Sequence, residues 1–366
     1  MIKIGSDFSG VGAFNQAVIR LGIEYKELFA CDMDKYARQT FIHNYGEPEY
    51  YPTNVYDREI PNESLDIYMT SPPCQAFSLA GKRLGKEDKR GILFFNSHEF
   101  IQKNKPRYFI FENVKGLLSD NGGKTFSEWV NLLGGKSING NPVIFPYEDA
   151  VPYHLYYKVL NAKHHGVPQN RERVFLIGIR DDEDNNFRFP VEEQLTKILK
   201  DVLEDNVDDK YFLSEKMISY LENRSDNFNN GKINYRTEND YATTITKSNS
   251  SLDISDNIIK IEYNDKRLNQ TIEKNDLPSG YPMMLDTYNQ SIHEECPTLK
   301  ARHAQNNDRK LWDGYKIRRL TPRECFRLMD FPDSFTWPVS DSQAYKQAGN
   351  SIVVNVLYKI IKNLKL

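Results

Sequence analysis

A cysteine directly behind two prolines is the residue of this 366-residue chain best placed for chemistry. Residues Asp66 to Ser78 read DIYMTSPPCQAFS. Leu65, Ile67, Tyr68 and Met69 form a short apolar run expected to be a buried strand, and Pro72 and Pro73 end it because neither can donate to a sheet ladder. Cys74 is then on a stiff loop at a strand's carboxyl end, where open α/β sheets hold ligands. A thiolate there could be a nucleophile, but a lone cysteine is more often a small buried hydrophobe, and the stretch alone leaves both readings open. A second polar pair, Glu112 and Asn113, closes the apolar run from Arg107 to Phe111. A carboxyl group at such an edge suits acid–base work or the capping of a following helix. Further on, QNRER spans 169 to 173. Strand alternation would put Arg171 and Arg173 on one face, to hold a developing negative charge or to pair with an acid. His164 and His165 are read as loop residues.

The elements that must position these groups begin at the first residue. Ile2 and Ile4 suggest a strand, FSGVG from Phe8 to Gly12 a glycine loop, and Phe14, Ala17, Val18 and Leu21 a helix stopped by Gly22. Such a loop lets backbone approach a ligand closely, although the third glycine of the dinucleotide fingerprint is missing. A second strand, Tyr25 to Cys31, leads to Asp32, about twenty residues past the loop, where an acid can reach a ribose hydroxyl. Asp34 is close by, and one of the two is expected to be only a helix cap. Strand and helix patterns alternate to about Arg180, with further strands at 156–161 and 174–179, which predicts an α/β fold with a Rossmann-like, mostly parallel sheet. Residues 190–315 are rich in Asn, Asp, Ser and Lys and have no strong period, so a second, smaller and irregular domain is expected. Ile352, Val353, Val356, Leu357 and Ile360 restore a helical pattern that could pack back on the first domain. The resulting division is 1–185, 186–335 and 336–366.

Bulk composition narrows the classes. Hydrophobic residues make up 39% and charged residues 27%, with no long apolar run, so no membrane span is expected. The start, MIKIGSDFSG, lacks the pattern of a signal peptide. The four cysteines, Cys31, Cys74, Cys296 and Cys325, show no paired CxxC spacing, so a reducing cytoplasm is expected and no metal site. A net charge of −3 argues against non-specific coating of nucleic acid. Its distribution is uneven: 181–209 is acid-rich, whereas 300–327 carries Lys300, Arg302, Arg309, Lys310, Lys316, Arg318, Arg319, Arg323 and Arg327. The late region could face an anion or be an ordinary solvated surface.

Taken in order, FSGVGAF, SPPCQAFS, FENV, QNRER, RRLTPREC and QAGNS resemble the ordered blocks of the cytosine-C5 DNA methyltransferases, over nearly the whole chain except about 185–290. The resemblance implies a class I methyltransferase sheet with a target-recognition domain, and transfer of a methyl group from S-adenosylmethionine to carbon 5 of a cytosine flipped out of duplex DNA. It implies that Cys74 attacks carbon 6, that Glu112 contacts or protonates N3, and that Arg173 holds O2 with Arg171 beside it. Asn350 would order the proline–cysteine loop. Phe8, Gly10, Gly12, Asp32, Met33, Asn54, Pro73, Leu93, Asn350 and Ser351 would serve the cofactor. Gln75, Ser78, Lys82, Arg83, Thr298, Leu299 and Arg302 would serve DNA. Two positions depart from the family pattern: Ser6 stands where an Asp is usual, with Asp7 displaced by one, and Asn54 stands where an Asp commonly meets the adenine amine. An Asn carbonyl can accept that bond too. The expected setting is a restriction–modification system with a cognate restriction endonuclease, or an orphan enzyme, acting as a monomer. The alternatives are an RNA methyltransferase on the same scaffold, which the long 186–315 region disfavours, and a non-catalytic binder, which the intact Cys74, Glu112 and Arg173 set disfavours.

Overall fold

The computed structural model describes residues 1–73, 92–183, 186–214, 236–245, 258–262, 283–286, 291–293, 309–312 and 315–366. Contacts divide the chain into two units, one of 1–202, 241–252 and 322–366, the other of 203–240 and 253–321. Residues 186–202 and 322–335, grouped with the irregular region on composition, therefore fold with the first unit. So does 241–252, which interrupts the second unit in sequence.

The first unit is built on one eight-stranded sheet in the order β2-β1-β3-β4-β8-β7-β5-β6. Its strands are β1 (Ile2–Asp7), β2 (Tyr25–Cys31), β3 (Ile67–Thr70), β4 (Tyr108–Val114), β5 (Ser137–Ile138), β6 (Asn141–Pro142), β7 (Tyr153–Asn161) and β8 (Glu172–Arg180). Helices α1 (Ala13–Arg20), α2 (Lys35–Tyr45), α3 (Ile92–Asn104) and α4 (Lys124–Leu133) fall between the early strands. Four neighbours, β2, β1, β3 and β4, are parallel, as alternation predicts. β8 runs antiparallel to both β4 and β7. The link between β7 and β8, residues 162–171, is too short for the helical crossover a parallel pair needs.

Burial on both faces explains why the central strands read as unbroken apolar runs. Phe109 and Phe111 of β4 share one face of the sheet and Ile110 points to the other, all three fully buried, and Phe94 stacks on Trp129 with ring centroids 4.2 Å apart. In the second unit the described strands are β9 (Ile258–Glu262), β10 (Met283–Asp286), β11 (Ser291–His293), β12 (Arg309–Trp312) and β13 (Tyr315–Arg319). They form a three-stranded sheet β11-β10-β12 and a pair β13-β9, all antiparallel.

The C-terminal region has three helices, α5 (Pro322–Leu328), α6 (Asp341–Asn350) and α7 (Val354–Lys362). The single periodic stretch expected after Ser340 is thus split at Ser351–Val353. This region is sewn to the first unit by Thr40 Oγ1 donating to Gln347 (2.9 Å), by Lys346 pairing with Asp34 (2.6 Å) and by Tyr108 donating to the Lys365 carbonyl (2.8 Å). Among the described residues no helix is long and apolar enough to cross a membrane.

His165 ends a 3₁₀ turn, Ala162–His165, is fully buried, and has no partner for either ring nitrogen among the described residues. Asn355 holds its carbonyl at 2.6 Å. Burial, then the charge of Lys359, push its imidazole down to about 4, with Glu192 and Glu193 opposing. The unfolded chain takes up this proton near pH 6.5 and the folded chain only near 4, so the contribution is complete above about 6.5 and lost as pH falls, by up to ~1.4 kcal/mol per pH unit. His165→Leu is expected to flatten the fall in Tm between pH 6.5 and 4.5; a slope equal to that of the wild type would place the titration elsewhere.

Candidate active site

The parallel register fixes which loops meet. Asp7 lies opposite Cys31 and Thr70, and Thr70 lies opposite Phe111, so the carboxyl ends of β1, β2, β3 and β4 reach one edge. β8 runs the other way, and its start arrives at that edge, with Arg173 opposite Val114.

At β1 the chain turns through Phe8 (φ 57°), Gly10 (φ 54°) and Gly12 (φ 83°). A positive φ is costly for any residue but glycine, by about 1–2 kcal/mol, so Phe8 is held in a strained conformation. The restraint is the end of β2: Ser9 N donates to Cys31 O (3.0 Å) and Gly10 N to Asp32 Oδ2 (2.8 Å). A Cβ at Gly12 would fall 2.2 Å from the Tyr45 ring and force it to move, on top of the positive φ. The two acids separate cleanly. Asp34 is the cap, its Oδ1 accepting from Tyr36 N (2.9 Å) and Ala37 N (3.2 Å) at the start of α2. Asp32 instead binds the glycine loop and Asp34 N (2.8 Å), and its neighbour Met33 is 86% exposed. Burial raises the carboxyl pKa of Asp32, against the pull of the two backbone donors.

The departure at Ser6 and Asp7 has a structural outcome. Asp7 is buried, with Oδ1 on Arg58 Nε (2.9 Å) and Oδ2 on the Tyr68 hydroxyl (2.6 Å), and the Arg58 guanidinium lies 4.6 Å from the centre of the Phe100 ring. Both carboxylate oxygens are thus committed inside the sheet, while Ser6 Oγ is buried with no partner among the described residues. Arg58 in turn tethers the irregular segment that carries Asn54, whose other end is held by Ala30 N on Tyr50 O (3.2 Å) and Asp32 N on Pro52 O (3.3 Å). Asn54 is exposed and accepts from Tyr56 N (3.1 Å), a local turn that leaves its carbonyl oxygen a second lone pair. Leu93 is partly buried and packs, like Phe8, against the main apolar cluster.

β4 extends beyond the expected Phe111, because pairing with β8 continues through Glu112, Asn113 and Val114. Glu112 and Val114 share a face, so Arg173, opposite Val114, sits diagonally across from Glu112 and pairs through Nε at 3.1 Å. The Glu112 side chain is 10% exposed and that of Arg173 17%. Burial raises the Glu112 carboxyl pKa, and the charges of Arg173 and Arg171 pull it back. Asn113 points the other way and donates to the Pro72 carbonyl (3.0 Å), tying β4 to the residue two before Cys74. Sequence reasoning had noted Asn113 only as a polar edge residue and had assigned the ordering of this loop to Asn350. Asn350 is exposed at the end of α6, and Pro73 is exposed as well.

Arg171 lies just before β8 and is 3% exposed. Its guanidinium donates to three backbone carbonyls, Ile245 (2.9 Å), Gly349 (3.0 Å) and Ser351 (2.7 Å). Burial, then the like charge of Arg173, lower its pKa to about 9, with Glu112 opposing. Gln169, fully buried, donates to Leu328 O (2.7 Å) and accepts from Ile245 N (3.2 Å).

The basic region is corrected in part. Arg318 is 1% exposed, Arg323 donates to Phe335 O (2.7 Å), and Arg327 pairs with Asp333 (2.8 Å) and donates to Val202 O (3.2 Å), so these three serve internal structure and not an open anion-facing surface. Cys74, Gln75, Ser78, Lys82, Arg83, Thr298, Leu299 and Arg302 lie outside the described residues.

A mostly parallel sheet whose carboxyl edge carries a strained glycine loop, an acid after the second strand and a buried carboxyl–guanidinium pair has the form of an α/β ligand-binding scaffold. The family model for C-5 cytosine-specific DNA methylase matches residues 2–366, and the chain belongs to that family. It is 31% identical to the orphan methyltransferase M.SPRI of Bacillus phage SPR, covering 99% of this chain and 97% of that one. It is 34% identical to the type II methyltransferase M.HpaII of Haemophilus parainfluenzae, covering 95% and 84%. The fold superposes on the S. pombe Dnmt2 methyltransferase with a TM-score of 0.65 at 18% identity, covering 99% and 97%.

Removing the guanidinium should expose how far the two members of the buried pair depend on each other. Arg173→Met leaves Glu112 buried and unpaired, which costs about 3–5 kcal/mol where the carboxylate is charged and less where it holds a proton. Urea denaturation of the variant is therefore expected to show a larger loss at pH 8 than at pH 5; equal losses would mean that the pair contributes no buried charge coupling.

Proposed function

We propose that this protein methylates carbon 5 of a specific cytosine in duplex DNA through a transient bond between Cys74 and carbon 6, as a modification enzyme of the restriction–modification or orphan kind. The observation that carries the reading is the Glu112–Arg173 pair, held at the same sheet edge as Pro72 and the glycine loop, with a partner bond from Asn113 to the proline turn before Cys74.

Carbon 5 of cytosine is a weak nucleophile, so a thiolate must first add at carbon 6. Cys74 supplies the sulfur. As negative charge moves onto the ring, N3 needs a proton, and Glu112 is placed to give it, burial raising its pKa against the pull of Arg173 and Arg171. Arg173, fixed by that same carboxyl, holds O2 and stabilises the charge there. Carbon 5 would then accept the methyl group from the donor; the carbon-5 proton would pass to water and the N3 proton back to Glu112 as the bond from carbon 6 to sulfur breaks, which releases the thiolate and restores the ring. A base inside a duplex cannot meet these groups, so it has to leave the stack. The 203–321 region, with Thr298, Leu299 and Arg302, would read the surrounding sequence, while Gln75, Ser78, Lys82 and Arg83 would support the DNA around the flipped base.

The family implies S-adenosylmethionine as methyl donor, and the residues at the edge fit it: a glycine loop with open space where a Cβ at Gly10 would stand, an acid with lone pairs to spare, and an exposed methionine beside it. Phe8, Gly10, Gly12 and Asp32 would hold it, with Met33, Asn54, Pro73, Leu93 and Ser351 around them. When bound, it supplies an electrophilic methyl group on a sulfonium. The family model, described as a C-5 cytosine-specific DNA methylase, favours DNA over RNA as substrate.

Methyl transfer to duplex DNA and to transfer RNA separates the two substrates. Transfer to DNA only is expected, and Cys74→Ser should abolish it while leaving cofactor affinity nearly unchanged; an active Cys74→Ser variant would remove the nucleophile. The two acids give an independent check by calorimetry. Asp32→Asn should weaken cofactor binding by about tenfold, the loss of one charge-assisted hydrogen bond. Asp34→Asn should leave affinity intact, since Asn also caps helices well. Equal effects would contradict the division of labour between them.

A further inference from the structure

Residues 241–245, YATTI, belong to the first unit, although the chain on either side of 241–252 belongs to the second. They lie along Pro168–Arg171 as a strap. Ala242 N donates to Pro168 O (2.8 Å), Asn170 N to Ala242 O (2.8 Å), Thr244 Oγ1 to Asn170 O (2.8 Å) and Ile245 N to Gln169 Oε1 (3.2 Å). Arg171 Nη1 closes the set on Ile245 O (2.9 Å). Gln169 and Ala242 form only an isolated bridge, so beyond the two backbone bonds at Ala242 and the Thr244 hydroxyl the far end of the strap, Ile245, is held by two side chains of the QNRER motif, Gln169 and Arg171. The same arginine also gathers the Gly349 and Ser351 carbonyls, and its backbone is fixed in turn, with Arg171 O accepting from Ala162 N (3.0 Å).

Both terminal nitrogens of this guanidinium are spent on main-chain carbonyls, and its Nε is buried with no partner among the described residues, so the fork that would grip a substrate oxygen is already engaged inside the fold. Arg173, two residues on, has its Nε on Glu112 and its Nη1 on the neighbouring Glu172 carbonyl (2.8 Å). We propose that Arg171 is a positioning residue: it locks the Tyr241–Ile245 strap and the 349–351 turn around the start of β8, and the strap in turn holds Arg173 in place for the base. This departs from the role beside the base that the family resemblance implies for Arg171. It rests on the reading of Glu112 and Arg173 as the pair that handles the cytosine. A consequence is that residues far in sequence from every catalytic motif, Ala242, Thr244 and Ile245, belong to the positioning machinery.

The test combines amide exchange in the free protein with steady-state kinetics on duplex DNA. Arg171→Met should speed exchange of the Ala242 and Ile245 amides by about tenfold or more, because the bonds that protect them open together. It should lower kcat by about 30-fold with cofactor affinity within about threefold, and Arg171→Lys, which can still reach one carbonyl, should recover part of both effects. Thr244→Val should act in the same direction but more weakly, and add nothing to Arg171→Met, since both loosen one strap. If Arg171→Met lowers kcat with strap exchange unchanged, or if Thr244→Val has no effect on kcat, Arg171 acts on the substrate directly and the proposal is overturned. Should Arg171→Met fail to fold, Thr244→Val decides alone: faster Ala242 exchange with reduced kcat supports the strap, and faster exchange with full kcat refutes it. A wild-type protein that methylates no cytosine would defeat the functional reading, whereas the exchange data test the strap without any turnover.

Discussion

Strand direction at a single sheet edge is the constraint on which the site depends. Three parallel pairings bring the ends of β1 to β4 level, and one reversal, β8 against β4, returns a strand start to the same line. A parallel strand in that place would carry Arg173 to the far edge, out of reach of Glu112. The short link after β7 is thus what allows a carboxyl group from one strand and a guanidinium from the next to meet at 3.1 Å. Neither group would be stable there alone, because an unpaired charge in a buried site is costly and the pair is compensated only while both partners are present.

A second buried pair does comparable work at β1. Asp7 and Arg58 join the strand end to the segment 50–58, and Tyr68 fixes the carboxylate from β3. The displaced acid of this chain is an internal tie, and Arg58, stacked against Phe100, is its counterpart. The glycine loop next to it carries strain at Phe8, held by the bonds to Cys31 and Asp32. Strain in a ligand loop persists only when neighbours over-determine it, and here the neighbours are β2 and the acid that follows it.

Local pattern made part of this legible from sequence. The first strand, loop and helix and the proline stop after β3 follow from residue types within a few positions of one another, whereas which of Asp32 and Asp34 caps α2 had to come from the structure. What pattern could not reveal is set by contacts across tens or hundreds of residues. Asn113 reaches Pro72 across 41 positions and Arg171 reaches Ser351 across 180. Nothing in QNRER says which arginine meets an acid and which meets carbonyls. Arg318, Arg323 and Arg327 misled for the same reason: charge composition records that a cation is present, not whether a carbonyl or a carboxylate is folded against it. The C-terminal helices show the converse case, since their apolar spacing was plain while the break at Ser351–Val353, which presents two carbonyls to Arg171, was not.

The central claim is that this edge brings a sulfur to a pyrimidine whose ring is gripped by Glu112 and Arg173. The most direct measurement is mass spectrometry of the peptide attached to a duplex carrying 5-fluorocytosine at the target position, after incubation with cofactor. The account predicts a covalent adduct on Cys74, formed readily by the wild type and slowly by Glu112→Gln. An adduct on another residue, or none with cofactor present, would contradict it.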